Sequence, residues 1–218
     1  KGWQLNLAVC NKTSLKDFKV AIWSNDELAP VSKEIAQRCE EVGNKLNSVG
    51  TIVSFAAKPE HDFMKAEINY QLLLQSVMQS GLPEDEYQKI EELASSLDKN
   101  DLSVDAILAK GTVLSHRNWL RQNYAREQIK ISWSKFFEEW DVLICPQLAT
   151  TAIEHDHKKI SERTVMVDNQ EQRYFQQIFW PGLAVNAHLP STVFPTGLSS
   201  DGMPIGLQVI GGAYEDKT

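Results

Sequence analysis

Four consecutive apolar residues, Val142-Leu143-Ile144-Cys145, stand immediately before Pro146 and offer no polar side to water. A strand of this kind must be covered on both faces, which is the situation of a central strand in a sheet flanked by helices. An earlier segment supplies matching parts. Phe18, Val20 and Ile22 alternate on one face of Phe18-Lys19-Val20-Ala21-Ile22-Trp23, and the polar Ser24-Asn25-Asp26 ends the run. After Pro30, Val31, Ile35, Cys39, Val42 and Leu46 recur at helical spacing with Lys33, Glu34, Arg38, Glu41 and Lys45 between them, which predicts an amphipathic helix. Gly50 interrupts it, and the β-branched Thr51-Ile52-Val53-Ser54-Phe55 reads as a second strand. Strand, helix and strand in this order predict a parallel pair joined by a right-handed crossover.

From Asp62 to Glu139 the pattern turns helical, with Met64, Ile68, Leu72, Leu73 and Val77 as one expected buried face before Gly81-Leu82-Pro83. Residues 84–101 hold seven acids against two lysines and read as a solvated helical face. A long helix or a broken pair is expected between Gly111 and Cys145. There Arg126 and Lys130 fall roughly opposite Arg117, Arg121 and Lys135, so no single basic stripe forms. The stretch from Gln147 to about Asn169 is polar and long enough to cover a site. Gln170 to Phe179 is expected to return to helix. Ser191-Thr192-Val193-Phe194 and Ile205-Gly206-Leu207-Gln208-Val209-Ile210 predict paired strands around Ser200-Asp201-Gly202. The fold class is therefore α/β: a mixed central sheet flanked by helices, with a largely helical block over about residues 62–139.

Net charge −7 disfavours a phosphate backbone as partner, and no apolar run exceeds four residues, so neither nucleic acid nor a membrane is expected. The three cysteines, at 10, 39 and 145, form neither a disulfide framework nor a zinc set, which points to a reducing, cytoplasmic location. The chain opens at Lys1 without Met and closes on a polar stop after a strand-like run, so both ends are expected to be cuts.

The residues alone assemble no catalytic set and imply no cofactor. Cys145 is the best-placed nucleophile, but cysteine is among the most buried residue types and core packing is the stronger reading. His155 and His157 flank Asp156 at a spacing that suits a metal in extended chain, yet no third ligand is apparent and no metal site is assigned. His61 and His116 are isolated. Ser95-Ser96 and Ser199-Ser200 lie in a charged helix and a turn, not in the glycine-rich elbow that exposes a serine.

Two motifs carry a resemblance. Trp140-Asp141-Val142-Leu143-Ile144-Cys145-Pro146 is similar to the aromatic-Asp-Val-Leu-x-x-Pro strand of the amidase signature family. His188-Leu189-Pro190-Ser191-Thr192-Val193-Phe194-Pro195-Thr196-Gly197, followed by Asp201-Gly202-Met203-Pro204-Ile205-Gly206-Leu207-Gln208-Val209-Ile210-Gly211, resembles its Leu-Pro-Ala, Pro-x-Gly, Asp-Gly-Leu-Pro-x-Gly-x-Gln-x-x-Gly order. Ser191 replaces the usual Ala, Met203 the usual Leu, and His188 the usual glycine.

The family cleaves carboxamides with a Ser, cis-Ser, Lys triad carried in its first half. The resemblance thus implies that residues 1–218 are the C-terminal portion of an amidase-type domain, with the catalytic N-terminal half outside the chain. No residue here inherits a triad role. Its implied contribution is scaffold and pocket wall for a small-molecule amide, with Pro146, Gln147, Trp180 and His188 as candidate substrate neighbours. Ordinary packing competes for each and is favoured for Trp180. Alternatives are the amidase-type subunit of a tRNA-dependent amidotransferase, against which the acidic charge and His188 weigh, and a non-catalytic binding module. A sheet cut in this way is expected to expose apolar surface and to self-associate.

Overall fold

A computed structural model describes residues 2–158 and 162–218. The chain divides into two compact units, Lys1–Glu60 with Trp133–Thr218, and His61–Ser132.

The first unit is built on a five-stranded sheet of β1 (Lys19–Ile22), β2 (Ile52–Ser54), β3 (Val142–Pro146), β6 (Ser191–Leu198) and β7 (Pro204–Gly211). Their order across the sheet is β2-β1-β3-β7-β6. β1 runs parallel to both β2 and β3, while β7 is antiparallel to β3 and to β6. The expected parallel pair and the paired strands at the C-terminal end are both present. Helix α1 (Lys33–Ser48) begins after Ser32, whose hydroxyl accepts from Ile35 N, and ends just before Gly50, held at φ +96°. Cys39 of α1 packs with Val20, Ile22, Ile144 and Leu207, flanked by Val42, Leu46, Val53 and Phe194, to form the core on one sheet face. Strand alternation sends Trp23, Cys145 and Gln208 to the other face. There helix α6 (Phe179–Ala187) lies against them through Gln208 Nε2, which donates to Trp180 O at 3.1 Å.

Asp141 explains why an acid precedes the buried strand. Its carboxylate accepts from Lys19 N at 2.7 Å and pairs with Lys12, while its own N–H donates to Lys19 O at 2.9 Å. One side chain therefore sets the register at which β1 and β3 start. The β6–β7 hairpin is tied to α1 in a similar way. Arg38 donates to Thr196 O and to Leu198 O, and Glu34 accepts from Ser200 N at 2.7 Å. The register shifts between Pro195 and Gly197, and Gly197 takes φ +116° with the Arg38 guanidinium where a Cβ would lie.

Residues 164–178 differ from the expectation of loop followed by helix. β4 (Thr164–Val167) and β5 (Gln170–Arg173) form an antiparallel hairpin, and a 3-10 turn over Tyr174–Ile178 leads directly into α6. Val165 and Val167 are buried while Met166 is exposed, and Gln172 is buried opposite Val165. This period-2 burial overrides the helical preference of Gln-Glu-Gln-Arg. Asp168, at φ 52° in the hairpin turn, accepts from Lys33 N at 3.1 Å and so serves the N-terminus of α1.

The second unit contains α2 (Phe63–Met78), α3 (Glu84–Ser96), α4 (Val104–Thr112) and the beginning of α5 (His116–Glu139), which continues into the first unit from Trp133. The buried face of α2 is not the expected one. Met64 and Val77 are exposed, whereas Asn69, Tyr70, Gln71, Leu73 and Gln75 are buried. Hydrogen bonding settles the choice: Asn69 Nδ2 donates to Gln122 O and Oε1 of α5 at 2.8 and 2.9 Å. Acid-rich α3 buries no residue and carries Glu84, Asp85 and Glu86 in its first turn, where they suit the helix dipole. Among the described residues no helix is long and apolar enough to cross a membrane.

Two outcomes follow from these contacts. Asp141→Ala removes the acceptor shared by Lys19 N and Lys12, and should lower stability by about 2 kcal/mol in urea unfolding. His61, whose Nδ1 lies 3.1 Å from Ser132 Oγ, is pushed down by burial from an ordinary 6.5 to about 4, with Asp62 opposing. The unfolded chain then binds the extra proton first, so this contribution is intact above pH 6.5 and is lost as pH falls toward 4. Thermal unfolding between pH 7 and 5 should show a shallower pH dependence in His61→Gln than in the parent chain.

Candidate functional site

The strand order reverses direction between β1 and β3. After β1 the chain crosses through α1 to β2 on one side, whereas β3 joins β1 on its other side. The loops leaving β1 and β3 therefore start side by side at the carboxyl ends of parallel strands, the end at which open α/β sheets hold ligands. The last rung between the strands is Trp23 N to Ile144 O at 2.9 Å. Beyond it, Asn25 Oδ1 accepts from Val31 N, and Asp26 pairs with Lys58 at 3.3 Å. The Lys58 ammonium also lies 4.3 Å from the centre of the Trp23 ring.

Three of the four candidate residues gather at this end. Pro146 closes β3 and is fully buried, and Gln147 follows it, half-buried. Trp180 is 0% exposed, its Nε1 donating to Ala29 O at 3.1 Å in the loop after β1. Its ring meets those of Trp23 and Phe179 edge-on at centroid separations of 5.3 Å each. Trp180 is thus a packed side chain and not a free contact surface. His188 lies at the other end of α6, about 12 Å along the helix. It is exposed and caps the helix at φ 55°, a left-handed conformation that explains why glycine suits the position.

Sequence reasoning did not find the residues that join these loops. Ala149 N donates to Gln177 Oε1 at 3.0 Å, Ser32 N donates to Ala149 O at 2.8 Å, and Gln172 Nε2 donates to Pro30 O at 2.9 Å. The loops after β1 and β3, hairpin β4–β5 and the turn before α6 are thereby tied into one cluster. Each glutamine leaves a second polar atom buried without a partner: Gln172 Oε1, Gln177 Nε2 and, from the loop itself, Gln147 Oε1. A buried polar group left in this state costs about 1–3 kcal/mol. Gln208 is different, because its Nε2 bonds both Trp180 O and Cys145 Sγ. A glutamine inside the apolar run Ile205–Ile210 was the available signal for a bond through the sheet face.

The remaining nucleophile and ligand candidates do not converge here. Burial pushes the Cys145 thiol up to about 12, only partly opposed by Gln208, so it stays protonated. Cys39, on the opposite face, is raised by burial and by the neighbouring Cys145 and Glu40. Ser199 Oγ accepts from Met203 N, and Ser200 is bound to Glu34, both within the hairpin turn. His155 and His157 are exposed with ring centres 6.3 Å apart. Among the described residues, no three His, Cys, Asp or Glu side chains are placed to hold a metal.

Known proteins share this arrangement. A glutamyl-tRNA(Gln) amidotransferase subunit from Thermosynechococcus vestitus is 37% identical over 101 residues, 46% of this chain and 19% of the relative. The subunit of the same name from Thermodesulfovibrio yellowstonii is 24% identical over 219 residues, covering 93% of this chain and 43% of its own. A crystal structure of a bacterial aryl acylamidase of the amidase signature enzymes superposes with a TM-score of 0.62 at 17% identity, covering 92% of this chain and 41% of that one. The chain spans less than half the length of these proteins. The Amidase sequence profile matches residues 4–218, and the chain belongs to the amidase family.

Proposed function

We propose that this chain is the scaffold and pocket-wall portion of an amide hydrolase, acting on a small-molecule carboxamide whose attacking serine comes from polypeptide outside these 218 residues. The observation that carries the reading is the family match over residues 4–218 in a chain with no serine in a glycine-rich elbow. Cys145, buried near the end of β3, holds its proton and so does not substitute for that serine. In this reading half-buried Gln147 faces the substrate, the buried Pro146 and Trp180 fix the wall behind it, and His188 acts at a separate, solvent-facing edge.

The names of the two curated relatives favour a second reading, the corresponding subunit of a tRNA-dependent amidotransferase. It requires partner subunits, and release of ammonia from glutamine by the longer protein only in their presence would select it. A simple amide hydrolase turns over its substrate alone.

The 218-residue chain should neither hydrolyse aliphatic or aromatic amides nor become labelled by a serine-reactive fluorophosphonate, whereas a longer chain bearing a glycine-rich serine loop should do both. A covalent adduct on any residue of the short chain would overturn the first reading. Ile52 and Phe55, at and beyond outer strand β2, are about half exposed, and we place self-association there. Sedimentation should show concentration-dependent species above 24.6 kDa, and a monomer at every concentration would refute it.

A further inference from the structure

We propose that the outward face of α5 is a docking surface for a second copy of this chain, which meets it antiparallel about a two-fold axis close to Gln128. The proposal stands apart from the hydrolase reading.

Helix α5 is unbroken over His116–Glu139, and buried Trp133 and Phe136 mark its inner side. The opposite side is open to solvent along the helix. With Tyr124 taken as its centre, 100° per residue places Arg117, Leu120, Gln128, Ile131, Glu138 and Glu139 within about 60° of that line, and all of them are exposed. An outer helix face is ordinarily polar. Here Leu120, Tyr124 and Ile131 stand along it at 50%, 69% and 49% exposure.

Charge selects the occupant. The face begins with Arg117 and Arg121 and ends with Glu138 and Glu139, so it is basic at one end and acidic at the other. Such a face complements itself when reversed, whereas a parallel copy would set like charges together. With the axis near Gln128, Arg117 lies opposite the partner's Glu138 and Glu139, and Tyr124 lies opposite the partner's Ile131. The two-fold axis makes each contact twice. Lys135 does not break the match, because it stands three and four residues before its own Glu138 and Glu139 and covers the partner's Leu120 with its alkyl stem. From Arg117 to Glu138 the strip is about 30 Å long and one helix wide. That is less than a standard interface, so a dissociation constant of about 0.1 mM is expected.

The test is sedimentation equilibrium of the 218-residue chain carrying Ile52→Lys, which takes away association through β2. A monomer–dimer equilibrium near 0.1 mM should remain. Tyr124→Glu should weaken it about tenfold or more. Arg117→Glu and Glu138→Arg should each weaken it about fivefold, and the two together should recover most of the loss, which a change in folding would not do. The register is read separately by cross-linking in a Cys10→Ser chain, whose other two cysteines are buried. Oxidised glutathione should join Gln128→Cys chains into a disulfide dimer. It should leave Asn118→Cys monomeric, since that exposed position lies about 120° round the helix from Tyr124. A monomer at every concentration up to about 1 mM would overturn the proposal. So would a dimer indifferent to Tyr124→Glu, or equal cross-linking at positions 118 and 128. None of these results bears on the hydrolase reading, which is judged by turnover and by the fluorophosphonate.

Discussion

Strand β3 is hydrogen-bonded along both edges and covered on both faces, so every other piece of the first unit is placed by how it meets this strand. Leu143 and Cys145 are fully buried, with β1 parallel on one side and β7 antiparallel on the other. Such a strand has no freedom to slip, because a one-residue shift would exchange its two packed faces. Asp141 removes the remaining ambiguity by bonding the start of β1, and the buried Pro146 ends the strand. With both ends pinned, the loops after β1 and β3 leave the sheet side by side, and the Ser32–Ala149 bond joins them.

The cluster at the ends of β1 and β3 uses the same side chains for packing and for polar organisation. Trp180 fills space against Trp23 and Phe179, donates to Ala29 O, and receives a bond from Gln208 on its own carbonyl. Rigid support of this kind is what a recognition surface needs, since a positioned polar group is useful only if its neighbours hold it in place. His188 belongs elsewhere: helix α6 carries it away from Trp180 and leaves it in a conformation that costs an L-residue about 1–2 kcal/mol.

What could be read from the sequence depended on how local the signal was. The β1–α1–β2 order, the buried β3 and the C-terminal hairpin were legible because alternation, helical spacing and an Asp-Gly turn each act within a few residues. Hairpin β4–β5 was not legible, since its strands are four residues each and Gln172 is buried only because Pro30, far away in sequence, accepts its bond. The same reason hid the polar face of α2, where Asn69 meets Gln122, and hid Gln177, which meets Ala149. Of the candidate residues, Pro146 and Gln147 were picked from the end of a strand, whereas Gln172 and Gln177 depended on contacts between distant segments.

Two of the three cysteines lie on opposite faces of the central sheet, Cys39 against Ile144 O and Cys145 against Gln208, and burial keeps both as neutral thiols. Alkylating agents and peroxides attack the thiolate, so neither of these sulfurs offers them a target while the sheet is closed. The thiol chemistry of the folded molecule is thereby confined to Cys10, and modification of the other two becomes a record that the sheet has opened.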